Sequence, residues 1–172
     1  MESDVIAVMD HLHIRRCSLV GWSDGAITSL IMAMRHPTRV SRVYAFGANM
    51  NTEALDPGTF SSPILAQVAE RLAKDYAHLS PTPAEFSALR AAVETMQKSQ
   101  PNYSAAQLAT IKGPRIAIVD GDHEEFIKRA HTEYLARTIP GARLIVLSEV
   151  SHFAPWQAPE EFNRSMLEFL DR

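Results

Sequence analysis

The sequence predicts an α/β fold of about four mostly parallel strands with flanking helices and a helical insertion. Three observations lead to this fold class. Short apolar runs alternate with stretches of helical composition, which is typical of parallel strands joined by crossover helices. Several of the runs end at glycine or at polar residues, where loops are expected. A long middle stretch contains helix signals and no convincing strand pattern.

The first half of the chain is predicted to start with a helix. Acidic residues at positions 2 and 4 favour a helix amino terminus, and apolar residues then recur near the helical period. Residues 17–20 are expected to form a buried strand, 26–34 a helix and 40–46 the next strand. In the middle stretch, residues 64–76 look helical. Capping-box patterns at Thr82–Glu85 and Ser104–Gln107 predict two further helix starts.

In the second half of the chain, strand patterns again alternate with helix patterns. Residues 114–121 read as a short buried strand that ends at a glycine, and residues 127–137 as a helix terminated by Pro140 and Gly141. Residues 142–147 are the fourth predicted strand. The chain closes with a helix over 159–170, whose apolar face is expected to contain Phe162, Met166 and Leu170.

Composition limits the classes of partner and compartment. At 172 residues with 46% hydrophobic content, the chain is expected to be one domain with a substantial core. A net charge of −3 argues against nucleic acid or an anionic membrane as a partner. Cys17 is the single cysteine, so no internal disulfide can form, and no apolar run approaches the length of a membrane span. The acidic start is unlike a signal peptide, and we therefore expect a cytoplasmic protein.

The most informative stretch is Gly21–Gly25, which reads Gly-Trp-Ser-Asp-Gly. It lies between a predicted strand and a predicted helix, the context in which a Gly-x-Ser-x-Gly turn exposes a serine nucleophile. We expect Ser23 to take a strained backbone conformation there, and side chains at Gly21 and Gly25 to clash with neighbouring elements. The N–H group of Asp24, at the start of the helix, is a natural donor to an oxyanion formed when Ser23 attacks a carbonyl.

A serine hydroxyl needs a base and an acid that orients the base. Downstream, Asp122 and Glu124 follow the third predicted strand, and His152 lies in a loop after the fourth. Each has a simpler explanation: Ser23 could cap its helix, either acid could only stabilise a helix start, and His152 could be a solvated loop residue. A metal site is not favoured, because the histidines form no compact cluster of three ligands.

These motifs resemble the α/β-hydrolase superfamily, and within it the serine esterases of the biphenyl-hydrolase-like and valacyclovir-hydrolase type. The resemblance rests on Gly21–Gly25, Gly47–Asn49, Gly121–Glu124 and Ser151–Phe153, and on the chain order of serine, acid and histidine. It implies Ser23 as nucleophile, His152 as base and Glu124 as the acid. The family usually has aspartate at the position of Glu124, so Asp122 stays an alternative acid.

The resemblance also implies a division of the chain. Residues 1–172 form one hydrolase domain in this interpretation, with residues 1–48 and 112–172 as its core and residues 49–111 as a helical cap over the pocket. Trp22 and Asp24 are expected to contact the substrate, and the Asp24 carboxylate is a candidate for binding a substrate ammonium group. The apolar cap residues that could line the pocket are Phe60, Leu65, Phe86, Leu89 and Met96.

The predicted function is that of a serine hydrolase that cleaves carboxylic esters of small molecules through an acyl-enzyme, with no cofactor and no metal. Only 22 residues precede Ser23. By resemblance the chain therefore lacks roughly the first third of the usual fold, including the loop that supplies a second oxyanion donor. The alternative is a weak or inactive truncated hydrolase that serves as a binding or interaction module. An open edge on the Ser23 strand predicts a homodimer.

Overall fold

The computed structural model describes residues 1–59 and 63–171. Four parallel strands form a sheet in the order in which they occur along the chain. They are β1 (Cys17–Trp22), β2 (Val40–Phe46), β3 (Arg115–Gly121) and β4 (Arg143–Leu147). The predicted fold class is confirmed, because all three strand pairs are parallel and at least one helix lies between each strand and the next.

Eight α-helices surround or extend this sheet in the described residues. They are α1 (Glu2–His11), α2 (Asp24–Arg35), α3 (Pro63–Leu79), α4 (Phe86–Gln97), α5 (Ala105–Leu108), α6 (Arg129–Thr138), α7 (Ala154–Gln157) and α8 (Pro159–Asp171). Short 3₁₀ segments occur at Thr52–Ala54 and Pro83–Glu85. None of the helices within the described residues has both the length and the apolar character that a membrane span requires.

The register of the strands brings their carboxyl ends to one edge of the sheet. Trp22 pairs with Phe46, Phe46 with Val119, and Gly121 with Leu147. The loops that follow β1, β2, β3 and β4 therefore leave the sheet side by side. In open α/β sheets this edge is where ligands bind, so the fold gathers the candidate residues from four separate parts of the sequence.

Apolar side chains pack on both faces of the sheet. One cluster joins α1, α2 and α6 to the strands, and its fully buried members include Leu30, Val43 and Leu135. The other packs α8 on the opposite face, where Phe162 and Phe169 contact Tyr44 or Phe46. The predicted apolar face of the closing helix is confirmed, because Phe162 is buried and Met166 and Leu170 pack partly buried against this cluster; Phe169 is the most deeply buried residue of α8.

Strand β1 lies at an edge of the sheet and is less buried than predicted. Its exposure alternates, and Val20 is 44% exposed while Gly21 is buried. Cys17, which belongs to the strand predicted to be buried, is only half-buried. The reason is topological, because in the described residues β1 hydrogen-bonds to β2 alone and one face of it lies uncovered.

Two helix starts differ from the sequence prediction. No capping hydrogen bond forms at Thr82, whose hydroxyl instead bonds to Tyr76, and a 3₁₀ turn precedes α4. Helix α6 starts at Arg129 because the N–H groups of Phe126 and Ile127 donate to the side chain of Glu124. The capping box at Ser104–Gln107 is confirmed, with both of its hydrogen bonds formed.

Between β2 and β3 the described chain contains α3, α4 and α5 and no named strand. Two isolated bridges connect this segment, from Asn51 to Asn102 and from Leu55 to Ile127. The second of these places the segment beside the loop that follows β3. We call residues 49–111 the helical insertion; its role as a separate cap remains a prediction.

Candidate active site

Ser23 stands on a sharp turn between β1 and α2. Its backbone has φ of 55° and ψ of −122°, and a positive φ is rare for a residue with a side chain. The Ser23 N–H group donates to the carbonyl of Phe46 at 2.9 Å, and the Ser23 carbonyl accepts from Ala26 at 2.8 Å. Its hydroxyl makes no capping hydrogen bond to α2. The turn therefore holds Ser23 by its backbone and leaves the hydroxyl unused by the helix.

The two glycines of the turn have different roles. A Cβ atom on Gly21 would lie 2.3 Å from the carbonyl oxygen of Gly25, so β1 can meet α2 this closely only with glycine at position 21. The predicted clash at Gly25 is wrong, because a Cβ atom there would meet nothing within 4 Å. Gly25 contributes the backbone that Gly21 approaches, while its own Cα hydrogen faces open space.

The amino terminus of α2 faces the same site. The N–H group of Asp24 has no backbone acceptor within the described residues, which is the usual situation in the first turn of a helix. The partial positive charge at the amino terminus of α2 would stabilise an oxyanion. The Asp24 side chain also reaches the site, where its Oδ2 accepts a hydrogen bond of 2.9 Å from Nε2 of Gln97 in α4.

His152 and Glu124 form a buried pair. Nδ1 of His152 lies 3.0 Å from Oε1 and 2.9 Å from Oε2 of Glu124, and the two side chains are 6% and 4% exposed. The Glu124 carboxylate also accepts from the N–H groups of Phe126 and Ile127, at 2.8 and 3.1 Å. The sequence leaves two roles open for Glu124, and its contacts fit both. It binds the turn before α6, and it orients the imidazole of His152.

Burial acts in opposite directions on the two partners. It lowers the pKa of His152 and raises the pKa of Glu124, because each charged form loses hydration. The imidazole is consequently neutral near pH 7. Since Nδ1 faces the carboxylate, we assign the ring proton to Nδ1, which leaves Nε2 as the basic atom.

The loop that carries His152 is held from three sides. The indole Nε1 of Trp22 donates to the carbonyl of His152 at 2.7 Å, and the N–H group of His152 donates to Oε2 of Glu125 at 3.1 Å. Gly47, at φ of 64°, packs directly under the ring, where a Cβ atom would lie 2.7 Å from Cε1 of His152. The imidazole is therefore held by contacts from Trp22 at the end of β1, from Gly47 just after β2 and from Glu125 in the loop after β3.

Asp122, the alternative acid, is not brought to the imidazole. Its side chain is 39% exposed and lies 3.7 Å from Nδ1 of His123. Its Oδ1 accepts from the N–H group of Val150, and hydrogen bonds from the backbone, chiefly that of Glu149, lower the pKa of Asp122. Its observed contacts are those of a residue that ties the loop after β3 to the loop after β4.

Ser23 and His152 line one pocket of about 420 Å³. No hydrogen bond joins their side chains in the described part of the chain. The pocket walls are mainly apolar and come from the insertion and from the loops after β3 and β4. These wall residues are Leu55, Leu65, Val68, Leu72, Phe126, Ile127, Phe153 and Trp156, and Trp22 and Ile27 also line the pocket. Asp24, Asn49, Gln97 and Gln100 supply polar groups.

The apolar insertion residues predicted to line the pocket have different positions. Leu65 lines it, whereas Phe86 and Leu89 line only an adjoining groove between α3 and α4, of which Leu65 is also a wall residue. Met96 lines neither, and Phe60 lies outside the described residues. Sequence reasoning did not single out Gln97 and Trp156, because their places in the wall depend on long-range packing. Within residues 1–59 and 63–171, no three His, Cys, Asp or Glu side chains could jointly hold a metal ion.

Comparisons with known proteins show the family of this chain and its fold. A family model described as the alpha/beta hydrolase fold matches residues 1–101. The chain is 26% identical to the serine hydrolase BPHL of Mus musculus over 97% of its own length. It is also 26% identical, over 96% of its length, to 2-hydroxy-6-oxo-6-phenylhexa-2,4-dienoate hydrolase of Comamonas testosteroni. The chain spans 59% of the length of the first relative and 66% of the second.

Solved structures show the same fold. A hydrolase from Pseudomonas aeruginosa PA01 superposes with a TM-score of 0.71 and 22% identity, over 99% of this chain and 71% of that one. An enol-lactonase from Burkholderia xenovorans LB400 superposes with a TM-score of 0.70 and 20% identity, over 99% of this chain and 72% of that one. At these identities the likeness concerns the fold of the chain.

Proposed function

We propose that this chain, which belongs to the α/β-hydrolase family, is a serine hydrolase that cleaves carboxylic esters of small molecules through an acyl-enzyme. One observation carries the proposal. Ser23 stands at positive φ on a strand-to-helix turn and shares a pocket with a buried pair of His152 and Glu124. A structural serine needs no strained backbone, and a structural histidine needs no carboxylate aligned on Nδ1 beside such a serine.

The chemistry follows from the roles of these groups. Nε2 of neutral His152 takes the proton of the Ser23 hydroxyl as Oγ attacks the ester carbonyl. Glu124 stabilises the imidazolium that forms, and the imidazolium then protonates the leaving alcohol. A water molecule repeats the attack on the acyl-enzyme, with His152 again as the base. The N–H group of Asp24 donates to the oxyanion in both steps.

The described residues suggest one oxyanion donor, at Asp24. Loss of one donor from an oxyanion hole elsewhere costs about 10²–10³ in rate, so a site with a single donor would be slow but measurable. This is the physical basis of the alternative proposal, in which the chain is a weak or inactive member of the family that serves as a binding module. Labelling with a fluorophosphonate probe distinguishes the serine hydrolase from the binding module.

The pocket supports a small, largely apolar substrate. Its volume of about 420 Å³ falls within the usual range for small-molecule sites, and aromatic and aliphatic side chains dominate its wall. The names of the relatives and structural neighbours include a dienoate hydrolase and an enol-lactonase, so the reactions of the family extend beyond simple esters. We propose ester cleavage because Ser23, His152 and Glu124 supply what acyl transfer needs.

A fluorophosphonate probe tests the proposal directly, because it reacts appreciably only with an activated serine. We expect wild-type protein to be labelled on Ser23, and Ser23→Ala and His152→Ala to lose labelling while they keep the wild-type circular dichroism spectrum. Ser18→Ala is a matched control, since Ser18 is an exposed serine on the same strand and should not affect labelling. Folded wild-type protein that shows no labelling would favour the binding-module alternative.

Asp24 adds a proposal about substrate choice. Its carboxylate lies in the pocket wall beside Ser23, where it could hold the ammonium group of an amino-acyl ester. We expect Asp24→Asn to lower kcat/KM for amino-acyl nitrophenyl esters more than for plain acyl esters of the same size, because only the former lose an ion pair. Steady-state kinetics on the two ester series measure this. Equal losses on both would mean that Asp24 only stabilises the start of α2.

A further inference from the structure

Asp120, at the carboxyl end of β3, is an acid that the mechanism above does not use. Its side chain is 1% exposed. Oδ1 accepts from the N–H group of Gly121 at 3.1 Å, and Oδ2 lies 2.5 Å from the hydroxyl of Thr132 in α6. The Asp120 carboxyl group is also within hydrogen-bonding distance of the carboxyl group of Glu124. The buried carboxyl groups of Asp120 and Glu124 are thus neighbours, and Glu124 in turn contacts Nδ1 of His152.

We propose that Asp120 keeps its proton at neutral pH and donates it in a hydrogen bond to Glu124, so that it is a positioning residue for the acid that orients His152. The inference rests on the proposed function in one respect, because Glu124 and His152 matter for catalysis only if Ser23 is a nucleophile. The protonation of Asp120 itself does not depend on that function.

The surroundings of Asp120 explain why it stays neutral. Glu124 faces it from the loop after β3, Thr132 from α6 and His152 from the loop after β4. In the described residues no lysine or arginine forms an ion pair with it. Two adjacent carboxylates cannot both be ionised in a buried site. Burial first, and then the contact with Glu124, raise the pKa of Asp120 to about 8.

The hydrogen bonds are consistent with the proton lying between the two acids. The hydroxyl of Thr132 and the N–H group of Gly121 donate to the Asp120 oxygens, so the carboxyl proton is left for Glu124. This donation lowers the pKa of Glu124 against the effect of burial and so favours its ionised form. Glu124 then faces the Nδ1 proton of His152 as a carboxylate. Ionisation of Asp120 would remove the donor and set a second negative charge beside Glu124.

Stability as a function of pH tests the protonation state without reference to activity. Between about pH 4 and pH 8 the folded state would hold a proton on Asp120 that the unfolded state has released, so the folded-to-unfolded ratio falls about tenfold per pH unit from this group and levels off above pH 8. In Asp120→Asn this contribution disappears. We therefore expect urea unfolding to show a loss of stability between pH 7 and pH 8 in wild-type protein that is absent from the variant.

Asp122→Asn is the matched control for this measurement. Asp122 lies two residues further along, in the loop after β3, but is exposed, and its lowered pKa places its titration far below this pH range. Its stability profile between pH 7 and pH 8 should parallel that of wild-type protein. Parallel profiles for wild-type protein and Asp120→Asn would overturn the proposal.

The rate of fluorophosphonate labelling as a function of pH tests the positioning role. We expect the wild-type rate to decline above about pH 8, as Asp120 ionises, and the Asp120→Asn rate to show no such decline, because the amide N–H remains a donor to Glu124 at all pH values. Asp120→Leu, which has no donor, should label slowly across the range. A wild-type decline shared by Asp120→Asn would rule out the positioning role. Absence of labelling in every variant would refute the proposed function, and the stability profiles would still decide the protonation of Asp120.

Discussion

A single glycine limits how closely β1 and α2 can approach at the Ser23 turn. In Gly21→Ala the added Cβ atom would lie 2.3 Å from the carbonyl oxygen of Gly25 and would force the backbone of the turn to move. Overpacking of this kind typically costs about 1–3 kcal/mol or more. We expect a lower urea midpoint for Gly21→Ala and slower fluorophosphonate labelling, because Ser23 is displaced.

Gly25→Ala is the matched control for that substitution. It adds the same methyl group four positions later in the chain, where nothing lies within 4 Å. Position 25 belongs to α2, and alanine is favoured over glycine in helices by up to about 1 kcal/mol. Its stability should therefore equal or slightly exceed that of wild-type protein. Similar losses in both variants would contradict the asymmetry between the two glycines.

Individual site residues differ in how well the sequence predicts them. Ser23 is predicted from the spacing of a local turn motif after a strand, and His152 from its place in the loop after the fourth predicted strand. The choice between Asp122 and Glu124 was left open, since both lie in one loop and only its folded path decides which carboxylate meets Nδ1. Asp120 was not predicted at all. It sits inside an apolar strand pattern, and its contacts with Thr132 and Glu124 exist only once α6 has packed on β3.

At the scale of elements, the strands were easier to predict than the helix starts. β2 has the predicted bounds, because its apolar run ends at Gly47, where a positive φ is needed. The start of α6 was misplaced because Glu124 binds the N–H groups that would otherwise begin the helix. A local pattern contains no information about such competition between a side chain and the helix.

The packing of the helical insertion is a second feature that local sequence patterns do not predict. Gln97 in α4 reaches Asp24 in α2 across 73 positions of sequence, and Leu65 and Leu72 in α3 line the pocket of Ser23. Leu65, Val68 and Leu72 of α3 line both this pocket and the adjoining groove between α3 and α4. Period alone predicts that each helix has an apolar face, whereas the direction of that face depends on how the insertion packs over the loops after the strands.

At the scale of the whole molecule, the sheet has an open edge at β1 within the described residues. In the described residues β1 pairs with β2 on one side, and its other edge presents backbone groups that can pair with a second chain. We expect a homodimer formed through this edge, with light scattering at micromolar concentration giving twice the 19.1 kDa of one chain. Val20→Lys should shift the protein towards monomer, because a lysine on an edge strand opposes such pairing.

Leu144→Lys provides the comparison for the dimer prediction. Leu144 lies on β4 at the opposite edge of the sheet and is 41% exposed, close to the 44% of Val20, so the two substitutions place the same charge on equivalent surfaces. We expect Leu144→Lys to leave the dimer intact. A monomeric wild-type protein at micromolar concentration would exclude pairing through β1, and dissociation by Leu144→Lys alone would move the interface to β4. Because Ser23 follows β1 directly, a dimer through β1 would also bring the partner subunit close to the turn that carries the nucleophile.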